Sequence, residues 1–85
     1  MYVKIRLFLT PFEKVAEYVP KEGVIYDLGC GFGIFTNLMA FHSPKRKVIG
    51  IDLSKERIKV AQKTIRGRKN IQFIHHYTFG SLFSI

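Results

Sequence analysis

The stretch Val24-Ile-Tyr-Asp-Leu-Gly-Cys-Gly-Phe-Gly33 constrains this chain more than any other. It opens on β-branched and aromatic residues, which suit a pleated, packed strand. It then places glycine at three alternate positions, Gly29, Gly31 and Gly33, and runs on into helix-compatible residues from Ile34 to Phe41. Strand, glycine turn and helix form the setting in which glycines let backbone N–H groups and a ligand approach closely. A second strand-like run, Val48-Ile-Gly-Ile-Asp52, ends on an acid. That acid lies about 20 residues beyond the glycines, where a nucleotide-binding β-α-β unit puts its ribose carboxylate.

The rest of the chain supplies elements that fit around this pair. Thr10 can cap a helix, Pro11 suits its first position and Glu13 closes a capping box. Phe12, Val15, Ala16 and Val19 then fall on one face and Pro20 ends the run, which predicts a leading helix over 10–19. Val3, Ile5, Leu7 and Leu9 alternate with Lys4, Arg6 and Phe8, so residues 2–9 fit a strand and equally an amphipathic helical lead-in.

After the glycine turn, Ile34, Phe35, Leu38, Met39 and Phe41 predict a largely buried helix. Val48 to Asp52 is apolar with little alternation, as in a strand covered on both faces. Ser54 caps a further helix with Glu56 in its first turn, Ile58, Ala61 and Ile65 inward, and Gly67 as its stop. Asn70 to His75 alternates and predicts a third strand. Residues 1–85 thus read as one small α/β domain: a leading helix, a β-α-β-α-β core over 24–76 and an uncharged tail over 77–85.

Charge is distributed unevenly. The net charge is +8, and the whole excess lies between Lys45 and Lys69, where ten basic residues face only Asp52 and Glu56. Such a segment fits a nucleic-acid face or a solvated helix with its flanking loops. No aromatic residue is interleaved for base stacking, which favours the solvated face. Cys30 is the lone cysteine, so no disulfide framework exists and a reducing, cytoplasmic setting is expected. No apolar run approaches the length of a membrane span or of a secretory signal core.

Asp27-Leu-Gly-Cys-Gly-Phe-Gly33, with Asp52 after Val48-Ile-Gly-Ile and the helix from Ser54 to Ile65, resembles the class I S-adenosylmethionine-dependent methyltransferases. The resemblance runs from about Pro11 to Ile74. It implies a Rossmann-like parallel sheet, here three strands in the order 3-2-1 with a leading helix and two crossover helices. It also implies S-adenosylmethionine as cofactor and a cofactor-binding set of Asp27, Gly29, Cys30, Gly31, Gly33, Asp52 and Leu53, in which Cys30 is a small packing residue within the motif. No residue is assigned a catalytic role.

The residues themselves argue in the same direction. A dinucleotide site wants Gly-x-Gly-x-x-Gly, and that register places Ile34 or Thr36 where the third glycine belongs. The Gly-Lys-Ser/Thr ending of a phosphate loop is absent. An acid at Asp27 suits a cofactor with a sulfonium and an ammonium better than it suits a phosphate. Asp52 can accept two hydrogen bonds from a ribose diol, and Leu53 offers adenine an apolar contact. His75 and His76 are adjacent, point to opposite faces of a strand, and have no metal-ligand spacing.

Two departures from the family pattern stand out. The family places an acid shortly after the third strand, where it reads the adenine amino group, and here the run is Phe73-Ile-His-His-Tyr77. The family fold also continues with a fourth strand beside the first and three more beyond it, which are absent. Crossovers moving one way across a sheet put their helices on one face. The other face, and the outer edge of the strand at Val24–Leu28, are therefore expected to be bare. The tail, a second copy or a missing C-terminal half would have to cover them. The chain reads as an incomplete methyltransferase fold, with a non-catalytic remnant and a small basic nucleic-acid module as the competing readings.

Overall fold

A computed structural model describes residues 2–5 and 19–77. The leading helix expected over 10–19 and the tail beyond Tyr77 lie outside the described residues, apart from Val19. The elements are β1 (Tyr2–Ile5), β2 (Gly23–Leu28), α1 (Ile34–His42), β3 (Arg46–Asp52), α2 (Lys55–Gln62) and β4 (Ile71–His75). All strand pairs are parallel and the sheet order is β1-β2-β3-β4. The expected three-strand core, in its expected order, is β4-β3-β2.

The fourth strand corrects one expectation. β2 is not an open edge, because β1 pairs with it in the register Tyr2↔Ile25 to Ile5↔Leu28. Pairing satisfies backbone groups that β2 would otherwise turn outward, and it resolves residues 2–5 as strand.

Register sorts the sheet into two faces. Ile25, Val48 and Ile71 lie side by side, as do Asp27, Gly50 and Phe73 one row further on. The apolar members of these rows join Phe35, Met39 and Ala40 of α1 and Ile58 and Ala61 of α2 in one buried core. Both helices pack on β3 and β4, so both crossovers cover the same side. The opposite face carries Tyr26–Ile49–Gln72 and Leu28–Ile51–Ile74. It is not bare: Ile49 and Ile51 are buried, and Tyr26, Leu28 and Ile74 are half-buried.

α1 also differs from its expected burial. Its inward face is Phe35, Thr36, Met39 and Ala40, while Ile34 and Phe41 are 66% and 78% exposed. Leu38, between them on the helix, is half-buried against the core. α2 ends at Gln62, sooner than the sequence implies, and Arg66 and Gly67 turn the chain with positive φ before β4.

Arg46 belongs to the framework and not to a basic surface. It is buried, and its guanidinium donates to the carbonyls of Val19, Pro20 and Met39. Burial lowers its pKa from the ordinary arginine value, yet the group stays charged. The clamp joins the segment before β2 to the last turn of α1 and the start of β3. Arg46→Met is expected to cost about 2–4 kcal/mol, because three carbonyls lose a charged donor together. A lowered urea midpoint with an unchanged slope checks this.

Candidate cofactor site at the carboxyl ends of the strands

The site grows from three chain ends that meet at one edge of the sheet. β2 stops at Leu28 because Gly29, Gly31 and Gly33 all take positive φ, a region that side chains disfavour. The turn is fastened to β3: the N–H groups of Gly29 and Cys30 both donate to the Ile51 carbonyl, at 2.7 and 3.0 Å. Gly33 N donates to Cys30 O at 3.0 Å, which closes the turn into α1.

Asp52 is the hub. Its Oδ2 accepts from Gly31 N at 2.8 Å and its Oδ1 from Ser54 N at 2.8 Å. Its backbone carbonyl accepts from His76 N at 3.1 Å. One residue thereby ties the glycine turn, the N-cap of α2 and the end of β4 together. Arg57 stands 3.9 Å from Oδ1, but it is half exposed and water screens the pair. The carboxylate has about four acceptor positions, and the two backbone donors leave room for two more.

The three glycines serve different purposes. A Cβ on Gly29 would meet no atom within 4 Å among the described residues, so this position opens onto the site. A Cβ on Gly33 would lie 2.5 Å from Phe73 Cζ and 3.2 Å from Ala61 Cβ. Gly33 therefore allows α1, α2 and β4 to pack. Gly50, in mid-strand, does the same from the other side, since its Cβ would lie 2.7 Å from Phe73 Cδ1 and 2.9 Å from Cys30 Sγ. Gly31 is buried and supplies the N–H that holds Asp52.

Asp27 and Cys30 lie beneath this surface. Asp27 has no exposed area, and its Oδ2 accepts from Thr36 Oγ1 at 2.7 Å. Its carboxyl group anchors α1 to β2 through that hydrogen bond. Cys30 is buried with its thiol toward Gly50, as a packing residue. Leu53 is half exposed beside Asp52, and Phe32 of the turn is exposed as well. Nothing in the spacing singles out Phe32; only the turn geometry shows that it points outward. Among the described residues no three His, Cys, Asp or Glu side chains stand close enough together to hold a metal ion.

The basic segment divides on folding. Lys45, Lys47, Lys55, Arg57, Lys59, Lys63, Arg66 and Lys69 are exposed. Arg46 is buried, and Arg68 bonds to Asn37 and to the carbonyls of Thr64 and Ile65. No helix among the described residues is long and apolar enough to cross a membrane.

Comparisons with known proteins agree with this architecture. Residues 25–80, more than half of the chain, match the family described as a methyltransferase domain. A malonyl-[acyl-carrier protein] O-methyltransferase of Halalkalibacterium halodurans is 34% identical over 62 residues, 73% of this chain and 23% of that protein. The solved PH0226 protein of Pyrococcus horikoshii superposes with a TM-score of 0.63 at 31% identity, over 75% of this chain and 30% of its own. The StiE O-MT structure of residues 961–1257 has a TM-score of 0.63 at 21% identity over 76% of this chain and 25% of its own, a likeness of fold alone. The chain thus spans about a quarter of the length of these relatives. From its strand order, its glycine turn and the match over residues 25–80, the chain belongs to the methyltransferase domain family.

Proposed function

We propose that this chain binds S-adenosylmethionine at the carboxyl ends of β2, β3 and β4, as the cofactor-binding portion of a methyltransferase. The observation that carries the reading is the Asp52 carboxylate, held by Gly31 N and Ser54 N beside the open face of Gly29. Asp52 would take the ribose hydroxyls with its remaining lone pairs. The bare backbone at Gly29 would let the amino-acid arm lie against the turn. Leu53 would cover one face of the base.

The bound cofactor supplies an electrophilic methyl group on its sulfonium. The chain's own contribution is to fix that group in place, and positioning provides much of the rate in such transfers. The lone, buried thiol of Cys30 accords with a reducing compartment, and the cytoplasm is the proposed location.

Titration calorimetry with S-adenosylhomocysteine tests the reading. Saturable binding at one site is expected, and a folded sample that takes up no heat would overturn it. Gly29→Ala localises the site: its methyl projects into open space, so folding should lose only about 1–2 kcal/mol for the positive φ. Binding is expected to weaken by about tenfold or more, because the methyl occupies ligand space.

A further inference from the structure

The glycine turn is tied down at its far end by a side-chain network that Asp52 takes no part in. Residues 29–33 include three glycines at positive φ, and glycine has more backbone freedom to lose on ordering than any other residue. The Ile51 carbonyl and the Asp52 carboxylate hold Gly29, Cys30 and Gly31. Gly33 is held through Asn37 of α1.

Asn37 donates twice to the Gly33 carbonyl, from its backbone N at 2.9 Å and from Nδ2 at 2.8 Å. The backbone bond alone would serve the helix, so the second donor fixes the turn. Nδ2 also donates to Thr64 Oγ1 at 2.8 Å, and that hydroxyl donates on to the Ala61 carbonyl at 2.6 Å. Arg68 decides which way the amide faces. Its guanidinium can only donate, so it takes Asn37 Oδ1 and leaves Nδ2 turned to Gly33 and Thr64. Arg68 is itself anchored on the carbonyls of Thr64 and Ile65.

The tie passes along the turn. Gly33 N donates to Cys30 O, and the neighbouring Gly31 N is the donor that holds Asp52. A turn ordered in advance need not be ordered by its ligand, and apparent affinity falls with the fraction of chains in the competent form.

We propose that Asn37, oriented by Arg68 and Thr64, is a positioning residue of the cofactor site and acts through the Gly33 carbonyl; this rests on the cofactor reading above. The test measures S-adenosylhomocysteine binding by calorimetry on the full chain, with circular dichroism to verify folding. Asn37→Ala should weaken binding by about five- to tenfold, the worth of the lost side-chain bonds. Asn37→Asp keeps the shape and the Arg68 contact but sets an acceptor against Gly33 O. It should bind as weakly while remaining folded, and it carries the test if Asn37→Ala does not fold. Amide exchange at Gly31 and Gly33 should quicken in both variants. A merely structural role would lower stability and leave the affinity of the folded protein unchanged. Folded Asn37→Asp that binds within about twofold of wild type would therefore overturn this inference and leave the cofactor reading standing. A folded wild-type chain that binds no ligand would overturn both.

Discussion

Phe73→Ala is expected to leave too little stability for the chain to remain folded in dilute denaturant. The Phe73 ring lies between the bare backbones of Gly33 and Gly50, with Ala61 and Cys30 alongside, and it is 4% exposed. It therefore joins β4 to the glycine turn, β3 and α2. Removing such a ring costs about 3–5 kcal/mol, from lost transfer energy and the cavity left behind. A domain of this size holds a total stability of only about 5 kcal/mol, so the loss consumes most of it. The expected reading is a urea transition shifted to very low denaturant, or no folded baseline at all. A midpoint near wild type would show that the core does not depend on this ring. Gly50→Ala probes the same contact from below, since its Cβ has no room unless Phe73 moves. Its penalty should shrink in a Phe73→Leu background, because contacting residues couple.

The second large effect is expected at Asp52, in binding more than in folding. Asp52→Ala should weaken S-adenosylhomocysteine by about 100-fold or more, the worth of two charge-assisted hydrogen bonds at about 1.5–3 kcal/mol each. The substitution also frees Gly31 N and Ser54 N, so the glycine turn loses its tie to α2. Asp52→Asn separates these contributions. One oxygen remains to accept from a backbone N–H, so folding should suffer less than in Asp52→Ala while binding still falls. Unchanged affinity in Asp52→Ala would remove the ribose assignment.

Much of this was legible in the residues taken alone. Alternate glycines after a β-branched run, followed by an acid at the end of the next strand, imply a parallel β-α-β unit with a site at its carboxyl edge. That inference works because positive φ and strand burial are local demands, met by residue type at fixed spacing. The strand order is what the family resemblance implies, and given that order crossover handedness puts both helices on one face.

What the glycines and acids do individually was decided by tertiary packing. Gly29 and Gly33 look alike in the motif, yet one opens onto the site and the other makes room for a ring 40 residues further on. Asp27 and Asp52 are both buried strand-end acids, but the first bonds Thr36 of α1 while the second accepts from the backbone of Gly31 and Ser54. Arg46 sits in a basic run and is withdrawn from it by three carbonyls that only the fold brings together. The edge of β2 is covered by a strand from the far N-terminus, a pairing for which spacing carries no signal. In each case the deciding neighbour is distant in sequence. The motif Val24 to Gly33 with Asp52 determined that a ligand edge exists; long-range contacts decided which atoms face it.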